Sequence, residues 1–336
     1  MISYTIIYSI ISFLILIFFS KISFKLNLVD VPNERKKHSE PVAYTGGLAI
    51  GLIYVISILL FDIDNGKINT ILLASFLIAI IGLIDDKYQL NISQKLILQF
   101  IIILYLTTIE NFYLKDLGEY GNFKLQLSFI SIPFTILSIL LLINAFNYFD
   151  GLDGTLSFTT ISVLLILYFL TIDKNIKIFL VLILIPLLIF LCFNFSVFKL
   201  PKLFLGDSGS LSIGFIIAFI LIYLKNNTEI HPILLAWSIS IFVYEFLSIN
   251  LIRLKKKKNI FKPGQDHLHH ILLIKYKKLF ITNFLILIIN IIFFIIGYVS
   301  YKLFNSTTSL ILFIFFFIIY LILRLNFLSD KNSNLI

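Results

Sequence analysis

The chain has 336 residues, of which 59% are hydrophobic and only 13% charged, and its mean hydropathy is +1.02. Soluble domains carry roughly 25% charged residues, so lipid must solvate much of this surface and a water-soluble fold is excluded. The single cysteine, Cys192, excludes an intramolecular disulfide and a Cys-based metal cluster. The net charge of +9 is explained by orientation in a membrane, so no nucleic-acid partner is expected.

Eleven apolar runs are long enough, or nearly so, to cross a membrane as helices, which takes about 20 residues each. They fall at about 3–24, 45–61, 70–84, 96–109, 131–149, 156–172, 176–195, 210–224, 232–252, 279–300 and 309–327. Open strands cannot face lipid, so these runs are helices. We predict an all-α polytopic membrane protein with about eleven transmembrane helices and a single domain, 1–336. Alternating apolar and polar residues within 110–130 predict a short hairpin.

The basic residues predict which way the helices run. With the N-terminus outside, all but seven of the 27 Lys and Arg residues fall in inner segments, as the positive-inside rule expects. The cluster from Arg253 to Lys258 dominates this count, and the segment from Arg35 to Lys37 agrees with it. The predicted orientation is N-terminus out and C-terminus in, in the cell membrane.

Five polar segments on the predicted inner side contain residues that an anchoring loop does not need. The first runs from Asp30 through His38 to Gly46 and Gly47. It is either a basic stop signal or a place where glycine N–H groups approach an anion. All five segments fall on one side of the membrane, and this coincidence points to a site there.

The second segment is the pair Asp85 and Asp86 at the end of an apolar run. Acids are disfavoured at the C-terminal end of a helix by its dipole. A paired-acid site that holds Mg²⁺ or handles a proton explains this placement better than a solvated helix end does. Lys95, at the start of the next helix, lies near enough to face the pair.

The third segment places Asn144, Asn147 and Asp150 three residues apart, near one face of a helix. Gly151 and Gly154 then permit a sharp turn or the close approach of a ligand. An amide-and-carboxylate stripe is costly in lipid, so a binding site explains it better than a polar contact between helices. Asp153 lies in the same turn.

The fourth and fifth segments carry groups suited to phosphates. Residues 204–210, Phe-Leu-Gly-Asp-Ser-Gly-Ser, open an apolar helix and suit a phosphate with its metal ion, or alternatively form an ordinary N-cap. The sequence 266–270, Asp-His-Leu-His-His, ends a long basic loop. Its imidazoles can donate hydrogen bonds to a diphosphate, whereas the spacing lacks further partners for zinc.

In order and spacing, these motifs resemble the polyprenyl-phosphate N-acetylhexosamine-1-phosphate transferase superfamily, glycosyltransferase family 4, over about residues 30–270. The resemblance implies transfer of a phospho-sugar from a UDP-sugar to a lipid phosphate, with Mg²⁺, or Mn²⁺ in its place, and release of UMP. The pattern His-x-His-His resembles the branch that uses simple UDP-N-acetylhexosamines. UDP-N-acetylglucosamine and undecaprenyl phosphate are therefore the expected substrates, for the initiating step of a cell-envelope polysaccharide.

The resemblance also implies roles for single residues. The catalytic group comprises Asp85, Asp86, His267, His269 and His270. The implied metal ligands are Asn147 and Asp207. The implied substrate-binding residues are Lys95, Asn144, Asp150, Asp153, Phe204 and Arg253, with Phe204 stacking on uracil.

This sequence departs from the family pattern in two places. Relatives often have Pro-Asp before the histidines, whereas Gly264 follows Pro263 here and the acid is Asp266. Glu245 stands where relatives often have an aspartate.

Two other functional classes explain the polar segments less well. A secondary transporter would place its polar groups at the bilayer midplane, and a structural subunit would leave the five segments unexplained. The oligomeric state stays open, a homodimer included.

Overall fold

The computed structural model describes residues 2–32, 40–61, 66–259, 264 and 266–333. The predicted basic segment 35–38 and Pro263 lie outside these residues. The described residues form the helices α1 (Ile2–Lys25), α2 (Gly46–Leu60), α3 (Gly66–Tyr88), α4 (Ile92–Thr108), α5 (Ser131–Phe149), α6 (Thr155–Leu170), α7 (Lys174–Asn194), α8 (Gly206–Asn227), α9 (Pro232–Ser238), α10 (Ser240–Lys255), α11 (Leu268–Tyr276), α12 (Leu279–Leu303) and α13 (Ser306–Ser333). They also form two antiparallel pairs, β1 (Val29–Asp30) with β2 (Val42–Ala43) and β3 (Asp116–Tyr120) with β4 (Phe123–Gln126).

Each of the eleven predicted apolar runs is helical. Seven helices of the described part are long and apolar enough to cross a membrane, and α9 with α10 adds an eighth if the bent pair is one span. The other three runs form the shorter apolar helices α2, α4 and α6, of 15, 17 and 16 residues. The polytopic, mainly helical architecture is therefore confirmed, and the count of eleven crossings stays a prediction.

One end of the helix bundle, which we call the acidic face, carries Asp86, Asp153 and Asp207. It includes the C-terminal ends of α3 and α5 and the N-terminal ends of α6 and α8. The backbone carbonyl of Asp153, just before α6, accepts a hydrogen bond from Asn283 of α12 at 2.7 Å. Gly46 at the start of α2 donates to the carbonyl of Phe204 at 3.0 Å.

The opposite end, which we call the hairpin face, is organised by the β3–β4 pair. This pair confirms the hairpin predicted within 110–130. Lys225, near the end of α8, lies 3.0 Å from Asp116 of β3. Ser306, at the start of α13, donates to the carbonyl of Glu119 at 2.6 Å. The 22 residues of α8 thus run from the acidic face to the hairpin face.

The predicted single helix over 232–252 is wrong in one respect, because α9 and α10 meet at a bend of 72°. Asn290 of α12 inserts its amide at the break. Its Oδ1 accepts from the N–H of Ile241 at 3.4 Å, and its Nδ2 donates to the carbonyl of Ser238 at 3.0 Å. A side chain that replaces the lost helical hydrogen bonds permits such a bend in an apolar setting. Neither glycine nor proline marks the bend in the sequence.

Helix α8 lies at the centre of the bundle, packed on α2, α3 and α5. Close approach depends on two glycines of the neighbouring helices. A Cβ at Gly47 would collide with the backbone of Gly209, and a Cβ at Gly82 with the backbone of Asp207. These contacts fix the position of the first turn of α8, which carries the predicted phosphate-binding motif.

Candidate active site

Three carboxylates and one lysine form the centre of the acidic face. Lys95 Nζ lies 2.7 Å from Asp85 Oδ2 and also contacts Asp207 Oδ2. Asn147 Nδ2 donates to Asp207 Oδ1 at 2.9 Å. Asp86 Oδ2 accepts from the backbone N–H of Asp207 at 2.9 Å. The fold thus brings together predicted residues from α3, α4, α5 and α8, and the group has more negative than positive charge.

The position of Asp86 has a local explanation. It lies in the last turn of α3, where its own helix dipole is unfavourable, but its carboxylate faces the N-terminus of α8. The exposed N–H groups there stabilise an anion. Gly206, with φ of +71°, allows this approach, because a Cβ would meet both Asp86 Oδ2 and the carbonyl oxygen of Tyr44 at 2.6 Å.

A cavity of about 740 Å³ opens beside this cluster. Its wall includes five predicted site residues, namely Asp86, Asp150, Asp153, Phe204 and Asp207. The sequence assigned no role to several further polar residues of the wall, Tyr44, Lys87 and Gln89 among them. Asp30 of the first polar segment also lines it. The cavity wall therefore combines several acids with an aromatic ring, Phe204.

Lys202 is a functional candidate that the sequence interpretation missed. Its Nζ lies 2.7 Å from Asp153 Oδ2 and 5.2 Å from the centre of the Phe204 ring. A cation over a ring face is held by the ring quadrupole. Its spacing of two residues from Phe204 is the signal that could have identified it. Asn194, also in the cavity wall, has a buried Oδ1 with no partner among the described residues, which offers an acceptor to a ligand.

Asp150 follows α5 and lies in the cavity wall. Burial, together with the negative charges of Asp207, Asp86 and Asp153, raises the pKa of its carboxyl well above the usual range. Withdrawing a carboxylate from water among other acids favours its neutral form. Asp150 is therefore suited to donate a hydrogen bond as well as to accept one.

The histidine segment, residues 267–270, packs against the turn that follows α5. The rings of His267 and His269 stack with centroids 5.5 Å apart, and those of His269 and His270 lie 4.3 Å apart. A Cβ at Gly151 would collide with His269, so this ring touches the cavity wall from behind. Burial, and the charges of His270, His267 and Arg324, lower the pKa of His269 well below its ordinary value. These surroundings disfavour the charged form of His269, and neither of its ring nitrogens has a partner among the described residues.

Arg253 was predicted to bind substrate, but the structure engages it elsewhere. Its Nη2 lies 2.7 Å from Asp266 Oδ1 and its Nε 3.1 Å from Asp266 Oδ2. Burial alone would raise the pKa of Asp266, but these hydrogen bonds and the guanidinium charge hold it below its usual value. Arg253 is buried and anchors the start of the histidine segment. Its predicted contact with substrate stays a prediction.

Two further groups predicted on the acidic face make hydrogen bonds within the protein. Asn144 donates from Nδ2 to the carbonyl of Leu140 in its own helix, at 2.7 Å, and its predicted contact with substrate stays a prediction. It is absent from the described residues of the cavity wall. The N–H groups of Gly46 and Gly47 do not face an anion. They donate to the carbonyls of Phe204 and Leu205, at 3.0 and 2.8 Å, and so join α2 to the loop before α8.

The oxygen-rich donors of the acidic face suit a hard divalent cation. Mg²⁺ prefers carboxylate and amide oxygens, often with several water ligands retained. Within the described ranges, no three His, Cys, Asp or Glu side chains form a metal-binding group. Lys95 and Asn147 contact the two carboxylate oxygens of Asp207, so an oxygen would be freed for a cation when Lys95 turns towards another anion. The residue types therefore fit the predicted ion.

Comparisons with known proteins agree with the resemblance found in the motifs. A sequence model described as glycosyl transferase family 4 matches residues 68–225. The chain is 30% identical to the probable undecaprenyl-phosphate N-acetylglucosaminyl 1-phosphate transferase of Bacillus subtilis over 308 aligned residues. The alignment covers 89% of this chain and 84% of the Bacillus protein. It is 28% identical over 272 residues to the undecaprenyl-phosphate alpha-N-acetylglucosaminyl 1-phosphate transferase of Escherichia coli K12, with 77% and 73% covered. The protein of the same name from Yersinia pestis is 25% identical over 260 residues, which are 75% of this chain and 71% of the Yersinia protein. This chain therefore belongs to glycosyl transferase family 4.

Proposed function

We propose that this protein transfers N-acetylglucosamine-1-phosphate from UDP-N-acetylglucosamine to undecaprenyl phosphate and releases UMP. This reaction would initiate synthesis of a cell-envelope polysaccharide. The observation that carries the proposal is a cavity whose wall contains Asp86, Asp207 and Phe204. Asp85 adjoins this wall, because Lys95 contacts both Asp85 and Asp207. The cluster suits phosphates with a cation, and the aromatic ring suits a nucleobase. The polar groups gather at one end of the bundle, so nothing specific favours a transporter.

The cavity divides into two subsites in this proposal. Uracil stacks on Phe204, near Asp153 and Lys202, while the diphosphate extends towards Asp207. The ring face and the ammonium of Lys202, 5.2 Å from its centre, give one end of the cavity both an apolar and a charged surface. Lys95 leaves Asp207 and binds phosphate oxygens, since it is the cation in contact with both Asp85 and Asp207. The imidazoles of the histidine segment, which packs behind the 150–151 turn, donate hydrogen bonds to the diphosphate.

Asp207, with Asn147 and Asp86 beside it, would hold Mg²⁺. When bound, the ion neutralises the charge of the diphosphate, which two anionic substrates require before they can meet. Before the ion binds, Lys95 offsets part of the negative charge of Asp85 and Asp207, and Asn147 fixes the orientation of the Asp207 carboxylate.

The reaction is expected to be an in-line displacement. An oxygen of the lipid phosphate attacks the β-phosphorus of the UDP-sugar, the bond to the bridging oxygen breaks, and UMP leaves with the electron pair. A phosphate monoester has a second pKa of about 6, so the nucleophile is mostly ionised at neutral pH. Asp85 then positions the lipid phosphate or removes a residual proton. Radiolabel retained on the enzyme after reaction with UDP-sugar alone would instead indicate a covalent aspartyl intermediate.

The proposed topology has eleven crossings, with the N-terminus outside, the C-terminus inside and the acidic face in the cytoplasm. Two features support it. Helices α2 and α4 begin beside the acidic face, where Gly46 contacts Phe204 and Lys95 contacts Asp207. Helix α6 begins after Asp153 and ends at Leu170, which lines a cavity together with His231, a residue in contact with β3. Basic residues are concentrated in the segments of the acidic end, as the positive-inside rule expects of a cytoplasmic face.

The decisive experiment measures UMP release by the purified protein in detergent from UDP-N-acetylglucosamine and undecaprenyl phosphate. We expect release that needs the lipid, that stops with EDTA and returns with Mg²⁺, and that falls by about a hundredfold or more in Asp207→Ala. Glu229→Ala, which removes an exposed acid from the hairpin face, is the matched control and should retain activity.

The outcomes separate the parts of this proposal. Release from another UDP-sugar alone would change the sugar and leave the reaction intact. Product only from UDP-N-acetylmuramoyl-pentapeptide would overturn the assignment to the simple-hexosamine branch. If a preparation that melts cooperatively releases no UMP from any of a panel of UDP-sugars, the transferase reaction itself is contradicted.

A further inference from the structure

We propose that Glu245, Tyr320 and Arg324 are positioning residues that hold the histidine segment in its working place, so that the last helix, α13, takes part in the active site. The proposal rests on the transferase reaction proposed above. Both α13 residues lie outside the 68–225 stretch matched by the family model and outside the five polar segments.

The contacts surround the first residues of the histidine segment. Glu245 is fully buried in α10, and its Oε1 accepts from the backbone N–H of Leu268, the first residue of α11, at 2.8 Å. Its Oε2 accepts from the hydroxyl of Tyr320 at 2.6 Å. Arg324 Nη2 lies 3.0 Å from Glu245 Oε1 and also donates to the backbone carbonyl of Asp266. The backbone on both sides of His267 is therefore held by this group.

A purely structural role explains this group poorly. Glu245 and Arg324 are 0% and 2% exposed, respectively. A buried ion pair adds little net stability, because both charges must leave water, and apolar side chains of similar volume often serve as well. In a helix bundle rich in Leu, Ile and Phe, two buried charges bond one backbone turn and a hydroxyl holds the Glu245 carboxylate. The need to fix that turn explains this arrangement better.

The position of the turn reaches the cavity through the histidine rings. His267 stacks on His269 with an interplanar angle of 4°. His269 in turn packs against Gly151, which lines the cavity beside Asp150. Displacement of the 266–268 backbone would therefore move His269 relative to the phosphate end of the cavity, while the Phe204 end would remain in place. The group should influence the chemical step more than the binding of the UDP-sugar.

Tyr320→Phe tests the positioning role, because it removes only the hydroxyl that binds Glu245. The matched control is Tyr54→Phe, which removes a buried hydroxyl of α2 that donates to the carbonyl of Ile183 at 3.1 Å. We expect similar melting temperatures for the two variants. Tyr320→Phe should lower kcat about tenfold, the usual scale for a residue that orients a catalytic group, with KM for UDP-N-acetylglucosamine within about twofold of the parent. Equal kcat in both variants would overturn the proposal.

A double-mutant cycle separates positioning from general destabilisation. If Tyr320 acts through the histidines, Tyr320→Phe should change the residual kcat of His269→Ala by less than about twofold, because the positioned group is already absent. The same tenfold loss in both backgrounds would indicate a structural role and contradict positioning. The parent protein reports separately on the transferase reaction. If the parent protein releases no UMP, the proposed function fails. If the parent is active and the effects of Tyr320→Phe and His269→Ala on kcat are independent, only this inference is refuted.

Discussion

At the scale of single residues, the acidic face depends on how charges are shared between helices. Lys95 contacts two carboxylates at once, Asp85 and Asp207. Asp86 is stabilised by backbone N–H groups instead of by a cation. Because these acids have different partners, they are not interchangeable. Asp207 alone combines a lysine, an amide and the first turn of α8, which makes it the residue whose loss should be most damaging.

Lys202 leads to a prediction about donor binding. Lys202→Met removes the charge that holds Asp153 and lies over Phe204, while it preserves much of the side-chain volume. The ion pair is partly exposed, so its contribution is at most about 1 kcal/mol, and KM for UDP-N-acetylglucosamine should rise about three- to fivefold. Steady-state kinetics at saturating lipid measures this. Lys199→Met, an exposed lysine of the same loop, is the control, and an equal rise there would contradict a specific role.

At the scale of secondary-structure elements, two glycine contacts place the first turn of α8. The sequence marks glycines at 47 and 82, but only the packing shows that the backbone of α8 occupies the space of their missing side chains. The same helix is fixed at its other end by Lys225 and Asp116. Helix α8 is thus positioned at both faces, and its two ends can be tested separately.

Gly82→Ala tests the packing of the end of α8 that lies at the active site. The added methyl group would collide with the backbone of Asp207 and Ser208 and push the first turn of α8 outward. A displacement of about 1 Å at reacting groups can reduce the rate about a hundredfold. Gly66→Ala is the matched control on the same helix, because a Cβ there meets no atom of the described residues within 4 Å. UMP release should be lost in the first variant and retained in the second, and similar activity of the two would contradict the packing argument.

The pH dependence of stability tests the other end of α8, where Lys225 contacts Asp116 at the hairpin face. Burial would raise its pKa, but hydrogen bonds from Lys225 and the N–H of Gly118, with the charge of Lys124, lower it below the usual value. A depressed carboxyl pKa stabilises the fold above the unfolded-state pKa, about 3.9, and this stability is lost as pH falls through the folded-state pKa.

Lys225→Met should therefore lower the melting temperature at pH 7, with a loss of up to about 1 kcal/mol, and the difference from the parent should shrink below about pH 4. Lys124→Met, whose ammonium is 3.8 Å from Asp116, should have the smaller effect. Melting curves in detergent across this pH range provide the measurement. A difference that persists unchanged at low pH would exclude the ion pair as its cause.

At the scale of the whole molecule, the helices connect two chemically different faces. One face carries the acids, the histidine segment and most of the basic loops, and the other carries the β3–β4 hairpin. The topology depends on the three short helices α2, α4 and α6. Each of them must cross the membrane if all the acids are to lie on the same side. Their 15 to 17 residues would span about 22 to 26 Å, slightly less than a typical hydrocarbon core.

Cysteine labelling tests the crossing of these helices one at a time. In a Cys192→Ser background, Lys67→Cys, Lys124→Cys and Lys174→Cys introduce exposed thiols beyond the ends of α2, α4 and α6. A membrane-impermeant maleimide added to intact cells should label all three. Lys87→Cys and Lys256→Cys, exposed at the acidic end, should be labelled only after the membrane is opened. Labelling of position 87 in intact cells would overturn the proposed orientation.

The sequence by itself determined the helical polytopic architecture, the hairpin and the family. Apolar length and motif chemistry are local properties, and a run such as 70–84 or the segment 204–210 carries them without its neighbours. The candidate residues Asp86, Asp150, Asp153, Phe204 and Asp207 were likewise recognisable from residue type and spacing. Their roles in catalysis and binding stay predictions.

Only the tertiary structure decided how these residues are paired. Asp86 faces the N-terminus of α8, and Arg253 is held by Asp266, because distant segments meet there. The bend between α9 and α10 depends on Asn290 of another helix, and nothing local in 232–252 encodes it. The link from Arg324 to the histidine segment was invisible for the same reason. Hydrogen bonds between residues far apart in the chain leave no periodicity or motif in the sequence, since they arise only when packing brings the two partners together.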